Sequence, residues 1–198
     1  MFDMGGVVSH HQDKVMEKDI LRFLGEKNKN SFGEFTPRLY VLLDEMSSLR
    51  ITEGDFWHQF SGITGIAVPD MHGESLWGKF FHPTIDEDVM DILKRLKGKG
   101  IRIVLASNTE PPHKKYHEEH GQYAIFDHVY TSCDLKVVKP DKQFFKAILS
   151  KENKIPEECF FTDDNEENCR VASSLGIKTY LFANATGLKD CLTKLQVI

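Results

Sequence analysis

The chain has 198 residues, 40% of them hydrophobic and 28% charged, which is enough to bury a sizeable core. A net charge of −5 leaves no basic footprint for nucleic acid, and no apolar run is long enough to span a bilayer. The cysteines (Cys133, Cys159, Cys169, Cys191) lack CxxC spacing, so free thiols in a reducing, cytoplasmic compartment are expected.

The opening stretch, MFDMGGVV, ends a short apolar run at Asp3 and then turns through two glycines. Open α/β sheets place chemistry where a buried strand delivers a carboxylate to a tight turn. Only Met1 and Phe2 precede Asp3, which is short for a central strand. Either further residues precede this numbering or the strand runs through Gly5 to Val8, and the first option is favoured.

Residues 12–27 place Val15, Met16, Ile20, Leu21, Phe23 and Leu24 on one face and stop at Gly25, predicting an amphipathic helix. Residues 30–50 predict another, through Phe35, Leu39, Val41, Leu42, Leu43 and Met46. Thr52 and Asp55 form a capping-box signal ahead of the helical GDFWHQF. Residues 71–81, with Leu76, Trp77, Phe80 and Phe81, predict a further helix. Nothing between Asp13 and His82 alternates as a strand does, so an all-helical block follows the first strand.

At Thr84 the pattern changes. Thr84 with Glu87 predicts a capping box, and Val89, Ile92, Leu93 and Leu96 line a helix ending at Gly98 and Gly100. IRIVLASNTE is a buried parallel strand finishing at Ser107, Asn108 and Thr109. A helix near 113–121 leads to the strand HVYTS and then to DLKVVKPDKQFF, where Lys139 precedes a proline suited to a helix's first turn. ECFFTDD is a strand ending in Asp163 and Asp164; a helix through Val171, Ala172 and Leu175 stops at Gly176; KTYLF is the last strand, with a terminal helix from Leu188.

Short apolar strands alternating with helices predict an α/β fold, a doubly wound parallel sheet. Right-handed crossovers bring every strand's carboxyl end to one edge. Asp3, Ser107, Asp163 and Asp164 therefore converge, with Lys139 projected towards them. Carboxylates gathered this closely repel one another unless a cation lies between them. A hard divalent ion such as Mg²⁺ fits oxygen ligands and shares coordination with a substrate phosphate. Lys139 and the Ser107 hydroxyl would hold phosphate oxygens, leaving Asp3 as a nucleophile able to form an aspartyl-phosphate.

In that order FDMGGVV, LASNT, VVKPD and FFTDDNEEN resemble the four motifs of the haloacid dehalogenase-like hydrolase superfamily, and the resemblance covers the whole chain. It implies a Rossmann-like core (residues 1–12 and 83–198) carrying a small helical cap (residues 13–82). Within the family the chain looks most like sugar phosphatases that act on glucose 1-phosphate and like the phosphatase domain of epoxide hydrolases. The implied activity is Mg²⁺-dependent hydrolysis of a small phosphorylated metabolite, a sugar phosphate favoured, by a monomer or weak homodimer. By the same resemblance Asp3 is nucleophile and metal ligand, the Gly5 carbonyl a second ligand and Asp164 a third, with Asp163 a ligand or a support beside it. Ser107 and Asn108 would bind phosphate, and Lys139 would steady phosphate and nucleophile.

One position departs from the family. Its phosphatases usually place a second Asp two residues after the nucleophile as general acid, and here that residue is Gly5. Losing a positioned acid costs about 10²- to 10⁴-fold on a poor leaving group. The expectation is a bias towards good leaving groups, or a proton supplied by His10, His11 or Glu110. Two alternatives stand beside this reading: a metal-independent 2-haloacid dehalogenase-like hydrolase, and a degenerate module that binds a phosphorylated ligand or a protein. His113, His117 and His120 read as solvated surface rather than a transition-metal site, Trp57 and Trp77 as core of the helical block, and Asp134 and Lys136 as loop residues.

Overall fold

The structure, a computed structural model, describes residues 1–10 and 13–198, with the side chains of all but Asp13 and Lys14. Two short strands, β1 (Ser9–His10) and β2 (Thr84–Ile85), flank four helices: α1 (Asp13–Phe23), α2 (Arg38–Ser47), α3 (Glu53–Thr64) and α4 (Leu76–Lys79). Then follow α5 (Glu87–Gly98), β3 (Val104–Ser107), α6 (Pro111–Glu119), β4 (His128–Thr131), α7 (Ser132–Leu135) and α8 (Lys142–Glu152). The chain finishes with β5 (Phe160–Asp163), α9 (Glu166–Ser173), β6 (Lys178–Leu181) and α10 (Ala185–Lys194).

Residues 1–3 form the centre of the sheet. Phe2 bridges Leu105 on one side and Thr162 on the other, both in parallel. The Phe2 N–H donates to Val104 O and the Asp3 N–H to Thr162 O, each at 3.0 Å. With β3 parallel to β4 and β5 parallel to β6, the strand order is β4, β3, residues 1–3, β5, β6. The alternative that Gly5–Val8 carries the strand is wrong: there the chain folds back, and the Val8 and Ser9 N–H groups both donate to Met4 O.

Side-chain alternation along β3 shows why both faces are covered. Ile103 and Leu105 pack with Val89, Ile92, Leu93 and Leu96 of α5 and with Leu188 and Leu192 of α10. Val104 and Ala106 face the other way, onto Phe144, Phe145 and Ile148 of α8 and Val171 and Ala172 of α9. This is an α/β, Rossmann-like arrangement, and its strand ends share one edge. The helices between β1 and β2 have a core of their own, in which Phe32 meets Phe56, Trp57, Phe60 and Trp77. Each such aromatic burial contributes about 1.5–3 kcal/mol.

Several boundaries differ from expectation for local reasons. Residues 30–50 are not one helix: a 3-10 turn (Phe32–Glu34) precedes Pro37, and α2 starts after it, because proline lacks the N–H and crowds the preceding turn. Residues 71–81 contract to α4, capped by Ser75, whose hydroxyl oxygen accepts the Gly78 N–H. Thr84 does not cap a helix; it lies in β2 opposite His10, and Asp86 caps α5 by accepting from the Val89 N–H. Pro140 stands ahead of α8, which Asp141 caps, and α10 begins three residues before Leu188, at Asn184's cap.

Candidate active site

The sheet's carboxyl edge gathers the acidic groups. Asp3 leaves the central strand, Asp163 closes β5, Asp164 follows, and Lys139 enters from the loop between α7 and α8. Asp3, Asp163 and Asp164 each offer an oxygen, and these lie within 4.8 Å of one another. The Lys139 ammonium sits 2.8 Å from Asp3 Oδ1 and 2.7 Å from Asp163 Oδ2. Together with Gly5, Gly6, Asn108, Asn165 and Asn168 these residues line a notch of about 410 Å³.

Asp163 is fully buried, so its carboxylate must be satisfied from within. The Asn165 N–H donates to Oδ1 at 2.8 Å, and Asn168 Nδ2 reaches Oδ1 and Oδ2 at 3.1 and 3.0 Å. Asn168 went unread in the sequence, although it stands in the first turn of α9, facing the strand end within FFTDDNEEN. Asp164 is exposed by contrast. Gly6, at φ +75°, lets the chain pass it: a Cβ there would fall 2.1 Å from Asp164 Oδ2.

Two expected phosphate contacts look different in place. Asn108 Oδ1 accepts the Lys139 N–H at 2.8 Å and Asn108 Nδ2 donates to Lys139 O at 2.9 Å, so this side chain is engaged with the lysine's backbone. Ser107 ends β3 as expected, but its buried hydroxyl donates to Asn108 O and does not line the notch. Lys136, read from the sequence as a loop residue, is exposed, and it is Lys139 that touches the carboxylates.

Burial pushes the Asp3 carboxyl well above the usual carboxylate range; Lys139 pulls it back and the Asp163 charge adds to the rise. Burial alone would lower Lys139, yet Asp3 and Asp163 hold its ammonium above the ordinary value. Three carboxylates against one ammonium leave an all-oxygen, net negative cluster, a donor set that fits a hard divalent cation. Asp3, Asp163 and Asp164 supply the carboxylate oxygens of that set, and Gly5 lines the same notch.

Two of the three expected proton donors are engaged with other partners. His10 Nε2 lies 2.9 Å from Asp86 Oδ2 at the β1–β2 ribbon, and His11 is outside the described residues. Glu110 accepts from the Ser47 hydroxyl at 2.8 Å and lies 3.0 Å from His113 Nδ1. Burial alone would raise its carboxyl, but the His113 hydrogen bond and charge, with the Ser47 hydroxyl, hold it down at about 2. Its hydrogen bonds tie it to the joint between α2 and α6 rather than to the notch. His113 and His117 are buried, not solvated: they project from one face of α6, and the His113 ring stacks on Phe81 at 3.7 Å. His120 is exposed as expected, and Trp57 and Trp77 lie in the helical core.

Residues 1–176 match the model of the haloacid dehalogenase-like hydrolases. The chain belongs to that family. Among relatives of this haloacid dehalogenase-like hydrolase, a sesquiterpene phosphatase of Aspergillus oryzae is 25% identical over 183 residues, 89% of this chain and 85% of the relative. A D-ribitol-5-phosphate phosphatase of Bacteroides thetaiotaomicron is 24% identical, covering 98% of this chain and 95% of the relative. The solved structure of a family enzyme from Bacteroides thetaiotaomicron, in complex with magnesium and inorganic phosphate, superimposes with a TM-score of 0.75 at 26% identity, covering 94% of this chain and 96% of that one. An L-2-haloacid dehalogenase shares the fold at 16% identity and a TM-score of 0.67.

Proposed function

We propose that this enzyme is a Mg²⁺-dependent phosphatase of a small phosphorylated metabolite, working through an aspartyl-phosphate on Asp3. The observation that carries the reading is the single Lys139 ammonium seated between Asp3 and Asp163, with Asp164 alongside. Mg²⁺, held by Asp3, Asp164 and the Gly5 carbonyl, would offset charge on the transferring phosphoryl group. Asp3 attacks phosphorus as the ester P–O bond breaks, and the leaving oxygen departs with its electron pair. Water then attacks the same phosphorus, freeing inorganic phosphate and restoring the carboxylate. Lys139 balances negative charge throughout, and Asp163, held by Asn168, keeps the lysine in place.

With Gly5 at the family's usual acid position and Glu110 ionised, leaving groups that need no proton are favoured: anomeric, aryl or acyl oxygens. A sugar phosphate esterified at its anomeric oxygen is the favoured class; the ribitol-5-phosphate relative supports a small phosphorylated substrate but not this bias, because its leaving oxygen is a primary alkoxide. Residues 13–82 would form the cap that closes over it, and the free thiols are in keeping with a cytoplasmic setting. Phosphate release across sugar, polyol, nucleotide and aryl phosphates, with and without Mg²⁺, tests the reading. Metal-dependent release that quickens as the leaving group becomes more acidic is expected. Release indifferent to chelator, or none from any ester, sinks it.

A further inference from the structure

The loop after β3 is tied down at consecutive residues. The Thr109 N–H donates to Ser132 Oγ at 3.0 Å, and the Cys133 thiol donates to Thr109 O. Immediately before it, the Asn108 amide makes a matched pair of bonds to one residue, accepting from the Lys139 N–H and donating to its C=O. These two groups flank the same Cα, so the amide fixes where the lysine side chain begins. Asp3 and Asp163 fix where it ends. A lysine side chain has several rotatable bonds, and holding both ends removes most of the freedom that would let the ammonium drift.

Resting on the phosphatase reading of the notch, we propose that Asn108 is a positioning residue, not a phosphate ligand: it holds the Lys139 backbone so that the ammonium meets Asp3 and Asp163. Turning the amide towards phosphate would break both bonds to Lys139 and loosen the group that balances the phosphoryl charge. A carboxylate in its place keeps an acceptor for the Lys139 N–H but sets a second acceptor against Lys139 O. Asn108→Asp is therefore a poor substitute despite its shape.

The test compares Asn108→Ala and Asn108→Asp, alone and combined with Lys139→Ala, using p-nitrophenyl phosphate and Mg²⁺. With Asn108→Ala, kcat is expected to fall about 10- to 100-fold, as for a displaced catalytic group. KM and the inhibition constant for inorganic phosphate should stay within about 3-fold, since binding of the phosphate is not what was removed. On the Lys139→Ala background the same change should add less than about 3-fold, because residues acting through one another are not additive. A tenfold or greater weakening of phosphate inhibition, or losses that multiply across the pair, overturns the proposal. Amide hydrogen exchange gives a second reading independent of turnover: the Lys139 N–H should lose protection in Asn108→Ala and keep it in Asn108→Asp. Unchanged protection in Asn108→Ala overturns the clamp. If the wild-type chain releases no phosphate from any ester, the phosphatase reading falls separately, and the exchange result still decides whether Asn108 holds the lysine.

Discussion

Asp3 in the notch and Glu110 beneath the helical block are both carboxylates withdrawn from water, each beside a basic side chain, and they end up opposite. Glu110 lies beside His113 and accepts from the Ser47 hydroxyl, and is held at about 2. Asp3 shares one ammonium with Asp163, whose charge adds to the effect of burial, and is pushed up instead. One is a satisfied joint between helices; the other is an acid left short of positive charge. A buried carboxylate marks a working site when its neighbours do not complete it.

The contrast breaks most directly at Asp3. Asp3→Asn should lower phosphate release by about 10⁴-fold or more while the far-ultraviolet circular dichroism stays unchanged, since it removes the nucleophile but keeps the shape. Chelating Mg²⁺ should cost about 10³-fold, reversed on adding the metal back, whereas no comparable metal effect is expected on the Glu110 joint. At Glu110 the effect is on stability. A carboxyl lowered from 4.5 to about 2 contributes about 3 kcal/mol, fully present above pH 4.5 and lost as pH falls towards the folded value. Urea titrations of Glu110→Gln should therefore show a loss of that order at pH 7 and a flatter acid limb. The smallest effect sharpens the other side. Because Asp3 is raised, the metal-free fold binds a proton that the unfolded chain has lost, so stability falls as pH rises above the ordinary value of 3.8. If Mg²⁺ takes the proton's place as proposed, its gain in thermal midpoint should be about 2–4 °C greater at pH 8 than at pH 5. An equal gain at both would remove the distinction between the two carboxylates.

Much of the notch was legible because it depends on chain order alone. Parallel strands with right-handed crossovers must share an edge, so Asp3, Asp163 and Asp164 could be placed together from two short apolar runs. The bonds of the Asn108 amide to Lys139 could not be read because their partner is a backbone 31 residues away, which no local pattern encodes. Thr84 failed as a cap because pairing with His10 outweighed its local preference, and Asp86 two residues on took the role. His113 and His117 were misjudged because PPHKKYHEE has no aliphatic face. Their spacing of four was the signal, and the surface they meet, Phe81, comes from a different segment.

The ribbon of β1 and β2 has an engineering meaning. The chain leaves the sheet through Ser9–His10 and comes back through Thr84–Ile85, the two threads side by side with His10 facing Thr84. Adjacent strands are only about 5 Å apart, so a tight turn could rejoin them. The helices in between could be traded for a relative's without lengthening or shortening any thread that reaches the sheet's carboxyl edge, provided the replacement restores what Ser47 gives Glu110 and Phe81 gives His113.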